Sequence, residues 1–208
     1  MATREAVLLL HGLWMNRLAM IYLARKLERA GFAARAIGYW SIFDPMDANV
    51  ARLARVVSST DASRVHLVGH SLGALVALRY LQKGADARVG RAVLLGPPLA
   101  GCRAAIALQR IPGGRRLLGE SLSVWNQPFE TAFDPRYEVG VIAGTRPLGT
   151  SCLFTRLPKP NDGVVCVDET LLPAARDRLE IFVSHSGMLI DARVARATIA
   201  FLSKGKFA

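Results

Sequence analysis

The sequence predicts an α/β fold, a single domain whose mostly parallel central sheet of about six strands is flanked by helices. Three observations carry this. Short apolar runs alternate along the chain with longer segments of helical periodicity. At one strand-to-helix junction stands a glycine-flanked serine, Gly69-His70-Ser71-Leu72-Gly73. The length of 208 residues, 51% hydrophobic and 21% charged, suits one core and is short for two.

The elements follow in order. Residues 6–10 form an unbroken apolar run, the signature of a strand buried on both faces. Residues 16–30 carry Leu18, Ile21, Tyr22 and Leu27 at helical spacing and close on Gly31, a helix stop. A second strand is expected over 33–40, a turn at Asp44-Pro45, and a helix over 46–57. The third strand, 64–68, runs into the serine pentapeptide, and 74–81 is helical. Strands over 89–95, 137–143 and 179–184 follow, with a last helix over 193–202. Between the fourth and fifth strands the pattern breaks down: 99–135 holds Pro112-Gly113-Gly114, Pro128 and scattered large apolar residues. Such a segment is too long for a plain connection, so it is expected to be a lid or cap over a site, with core-filling helices as the alternative.

Charge and cysteine usage narrow the classes. The formal net charge is +11, but its arginines are dispersed, without a dense basic run or interleaved aromatics, so nucleic acid is not expected as a partner. The surplus charge is read either as a weak association with anionic membrane surfaces or as an ordinary solvated surface. No apolar run approaches the ~20 residues of a membrane span, and no secretory leader is evident, so a cytoplasmic location is expected. Cys102, Cys152 and Cys166 show no CxxC spacing and are expected as buried free thiols; neither metal nor cofactor is implied.

The chemistry starts at Ser71. The G-x-S-x-G pattern between a strand and a helix forces a tight, strained turn, with glycines on either side because a Cβ there would strike the adjoining strand or helix. A serine hydroxyl is a weak nucleophile until a base takes its proton. Of the four histidines, His66 lies within a strand, His70 adjoins Ser71 in the turn and points elsewhere, and His11 fits loop architecture. His185, just after the last strand, remains as the base. An acid must orient it, and Asp162 in Asn161-Asp162-Gly163 is the choice over Asp168 and Asp134. The oxyanion formed on attack needs N–H donors. Leu72 offers one at a helix N-terminus and Leu13 after His11-Gly12 the second, with Trp14 as the alternative second donor. Trp14, Leu99 and Trp125 are expected to contact substrate.

These segments resemble the α/β-hydrolase superfamily, in particular its compact bacterial lipases and esterases. The matching stretches are His11-Gly12-Leu13, Gly69 to Gly73, Asp162-Gly163-Val164-Val165 and His185-Ser186-Gly187-Met188-Leu189, in the superfamily's order along the chain. The resemblance implies a reduced fold, without the first two strands of larger members, and a serine hydrolase cleaving small-molecule acyl esters. A thioesterase or acyltransferase using the same three residues is the alternative, and a non-catalytic ligand-binding module a third reading.

Overall fold

The structure is a computed structural model that describes residues 5–126 and 128–207. Its single sheet has six strands in the order β2-β1-β3-β4-β5-β6: β1 (Glu5–Leu10), β2 (Ala33–Ile37), β3 (Arg64–His70), β4 (Val89–Leu95), β5 (Glu138–Gly144) and β6 (Asp177–Ile181). All five pairings are parallel. The helices are α1 (Ile21–Arg29), α2 (Met46–Ser58), α3 (Leu72–Gln82), α4 (Arg103–Gln109), α5 (Gly114–Leu118) and α6 (Ala192–Lys204). Parallel pairing requires crossovers, and these put helices on both faces. Val50, Leu53 and Val57 of α2 and the apolar residues of α3 pack on one face; Leu23 and Leu27 of α1 and Val194, Phe201 and Leu202 of α6 pack on the other.

Strand order reverses between β1 and β3, because the chain steps outward to β2 and then returns to the other side of β1. In open α/β sheets the crevice at the carboxyl ends of strands at such a reversal is where ligands bind. Here those ends carry His11-Gly12 and Ser71.

Several boundaries differ from the sequence reading for local reasons. Asn16 caps a 3-10 turn (Arg17–Met20) by accepting the Leu18 N–H at 2.8 Å, so the predicted helix over 16–30 is this turn followed by α1. β2 ends at Ile37, since Tyr39 leaves the sheet to stack on His11. β3 extends to His70, and the Ser71 N–H still donates to Leu95 at 2.9 Å, carrying the ladder to the serine turn. Cys102 and Cys166 are buried, but Cys152 is exposed on a 3-10 turn, Thr150–Leu153.

Within 99–135 the chain forms α4, α5 and a 3-10 turn, Gly119–Val124. Leu108, Leu118, Trp125 and Phe129 are buried and join the core on the α3 face, while Ile111 and Leu117 are exposed. Among the described residues no helix is long and apolar enough to cross a membrane.

Candidate active site

Ser71 has φ 54, a left-handed conformation that a side chain rarely adopts, at the junction of β3 and α3. The turn closes only because its flanks lack side chains. A Cβ on Gly69 would lie 2.5 Å from the Ala74 Cα, and one on Gly73 2.5 Å from the carbonyl oxygens of Leu10 and His11. The first turn of α3 is therefore seated directly on the end of β1, bringing the Leu72 amide beside the His11-Gly12-Leu13 loop.

Two loops deliver the other groups. His185 follows β6 and donates from Nδ1 to Asp162 Oδ2 at 2.7 Å, with both side chains buried. A carboxylate at Nδ1 fixes the proton there and leaves Nε2 as the free lone pair. The other carboxylate oxygen of Asp162 accepts the N–H groups of Val164 at 2.9 Å and Val165 at 2.7 Å. The rival acids stand elsewhere: Asp168 makes a bidentate pair with Arg103, and Asp134 pairs with Arg136. Gly96, with φ 55, makes room for the His-Asp pair: a Cβ there would lie 3.1 Å from the imidazole and 3.2 Å from Asp162 Oδ2.

Ser71 and His185 line one cavity of about 200 Å³ with Gly12, Leu13, Trp14, Leu118 and Trp125 among its walls. Among the described residues the Ser71 hydroxyl and His185 Nε2 make no hydrogen bond, to each other or elsewhere. Leu99 does not line this cavity; it is core, its N–H donating to the Glu169 carbonyl at 2.7 Å, and its neighbour Pro98 lines the wall instead. Neither the Leu13 nor the Leu72 amide is spent on a turn, loop or cap bond among the described residues.

The remaining histidines near the site are buried and neutral. His70 donates from Nε2 to the His185 carbonyl at 3.0 Å, and burial, then the neighbouring His185, hold its pKa well below the usual imidazole value. A carbonyl only accepts, so the Nε2 tautomer is fixed and His70 anchors the His185 backbone. His11 donates from Nδ1 to the Gly12 carbonyl at 2.9 Å and stacks on Tyr39 with centroids 4.2 Å apart; burial lowers its pKa. The Gly12 carbonyl and the Leu13 N–H belong to one peptide plane, so His11 orients that amide. The Tyr39 hydroxyl in turn donates to the His11 carbonyl.

The sequence reading missed Tyr39, Gly96 and Glu169. Glu169 is buried and accepts the N–H groups of Arg103 and Cys166, each at 2.7 Å, tying the start of α4 to the acid loop. Glu169 lies four residues beyond the Asp162-Gly163-Val164-Val165 stretch, and a lone acid there gives no signal of a buried tie. Gly96 directly follows the fourth strand, where a glycine signals no more than a strand end. Among the described residues no cluster of three His, Cys, Asp or Glu is arranged to hold a metal ion.

A model of the alpha/beta hydrolase family matches residues 7–202. The chain belongs to the alpha/beta hydrolase family. Among solved structures, this hydrolase is similar to the mature lipase BlEst2 of Bacillus licheniformis, with 18% identity, a TM-score of 0.73, and coverage of 99% of this chain and 93% of that one. It is also similar to a bacterial membrane phospholipase A (16% identity, TM-score 0.69, 97% and 79% covered) and to carboxylesterase CesB of Bacillus subtilis (16%, 0.61, 97% and 84%). At such identities these likenesses speak for the fold. No curated protein matches.

Proposed function

We propose that this hydrolase cleaves small-molecule carboxylic esters through an acyl-enzyme on Ser71. The observation that carries the reading is the buried Asp162–His185 pair opening onto the same cavity as the strained Ser71. The Ser71 oxygen attacks the ester carbonyl while its proton passes to His185 Nε2. The oxyanion is met by the Leu13 and Leu72 N–H groups, donors worth roughly 3–4 kcal/mol each in such sites. The C–O bond to the alcohol then breaks, and the alcohol leaves with the proton from His185. Water, deprotonated by His185, attacks the acyl-enzyme and releases the acid with Ser71 restored.

The apolar walls supplied by Leu108, Leu118, Trp125 and Phe154 support an apolar acyl group in the cavity, and the 99–135 segment acts as its cover. The test is labelling with a fluorophosphonate and turnover of p-nitrophenyl esters graded from acetyl to palmitoyl. Labelling at Ser71, lost in Ser71→Ala with the fold kept, is the expected result. Folded protein that neither labels nor turns over any ester would overturn the reading. Partition of the acyl group to an added alcohol or thiol in preference to water would reassign it as an acyltransferase.

A further inference from the structure

Beside the catalytic cavity runs an open groove of about 730 Å³ lined by Trp14, Arg17, Tyr39, Trp40, Phe43 and Arg52, among others. Trp14 is a wall of both compartments. It is a fixed wall, for the residue has φ 60 and its indole N–H donates to the Leu117 carbonyl at 2.8 Å.

The two arginines converge on Gly38. Arg52 donates to the Gly38 carbonyl at 3.4 Å, and the Arg17 Cδ lies 3.8 Å from where a Cβ on Gly38 would stand. Among the described residues neither arginine forms an ion pair, and no carboxylate lines the groove. Arg88, Arg91, Arg103 and Arg193 are matched to acids, while among the described residues Arg55 and Arg79, like Arg17 and Arg52, are not; what sets Arg17 and Arg52 apart is that both line one groove. Two guanidinium groups lining one groove that holds no counter-charge among the described residues favour a bound anion there, and each fork offers it paired donors. Trp40 and Phe43 meet edge to face with centroids 6.1 Å apart, 62% and 71% exposed, and supply an apolar flank.

We infer that the groove receives an anionic group carried on the alcohol side of the substrate. This rests on the ester reading above: an apolar acyl cavity has no provision for a charge, so a charged portion belongs on the far side of Trp14. The substrate class is then an ester of an apolar acid with an alcohol bearing a phosphate or carboxylate. The anion is a spectator: the acyl C–O bond is the one that breaks, and the alcohol departs with its charge and the proton from His185.

The experiment compares kcat/KM for 3-carboxy-4-nitrophenyl butyrate with that for 4-nitrophenyl butyrate, which shares the acyl group and lacks the charge. The ratio of anionic to neutral ester is expected to fall about tenfold or more in Arg17→Ala/Arg52→Ala, mainly through KM, a loss of about 1.4 kcal/mol or more in discrimination. Arg17→Lys/Arg52→Lys should keep most of it, and Arg55→Ala, which removes a charge from α2 outside the groove, should leave the ratio unchanged. A ratio in the double alanine variant within about twofold of the parent overturns the inference. If that unchanged ratio accompanies lost binding to phosphatidylglycerol vesicles, the groove meets a lipid surface instead. If folded parent protein turns over neither ester and Ser71 resists the fluorophosphonate, the ester reading itself has failed and this inference with it; turnover of both esters with an arginine-independent ratio sinks the inference alone.

Discussion

Asp162 and His185 are joined twice, by the carboxylate-to-Nδ1 hydrogen bond at 2.7 Å and by the His185 backbone N–H donating to the Asp162 carbonyl at 2.9 Å. The second bond fixes where the two loops meet even if the first is altered. Asp162→Asn should therefore keep the fold, since an amide oxygen can still accept the Val164 and Val165 N–H groups, while losing the tautomer that frees Nε2. A fall in kcat of roughly 10³–10⁴-fold is expected, with an unchanged circular dichroism spectrum. Activity within about tenfold of the parent would remove Asp162 from the relay.

Gly96→Ala tests whether the strand end makes room for this pair. The added Cβ meets the imidazole and carboxylate at 3.1–3.2 Å in a residue already at φ 55. A stability loss of about 1–2 kcal/mol is expected from the backbone conformation alone, and kcat should fall further than any nearby conservative change, because the ring must shift. Urea unfolding and steady-state kinetics on one preparation measure both.

Tyr39→Phe keeps the ring stacked on His11 and removes the hydroxyl that donates to the His11 carbonyl. Leaving a buried acceptor unpaired costs about 1–3 kcal/mol, read as a lower urea midpoint. Because this carbonyl abuts Gly73 and the same residue orients the Leu13 amide, kcat is expected to drop with little change in KM.

Stability should decline on mild acidification. Burial lowers the pKa of His11 and His66, and holds that of His70 well below the ordinary value. Each is neutral in the fold and takes up a proton on unfolding once pH drops below about 6.5, so the unfolded state binds more protons there. The stability they contribute is full above that pH and is lost as pH falls toward the folded-state values, with His70, the most strongly shifted, contributing the largest share. Burial raises the pKa of Glu169, which acts with the opposite sign, so three histidines oppose one carboxylate. Unfolding free energies at about pH 7.5 and about pH 5.5 give the check.

Much of the architecture was legible because it rests on local chemistry. The apolar run of β1 and the glycines at 69 and 73 each carry their structural reason within a few residues. His185 stands out by elimination among the four histidines, and Asp162 by its place in chain order between Ser71 and His185. Boundaries set by distant contacts were not: β2 stops early because Tyr39 is drawn to His11, and Gly96 matters because loops more than sixty residues downstream converge on it. Leu99, expected to contact substrate, is instead held in the core by backbone bonds with Glu169 and Phe129, which a linear pattern does not reveal. The approach of both Arg17 and Arg52 to Gly38 is of the same kind.

The single bond from the Trp14 indole to Leu117 makes the loop after β1 and the helix α5 one mechanical unit. Trp14, held in an unfavourable backbone state, stands between the Ser71 cavity and the arginine-lined groove only as long as α5 keeps its place.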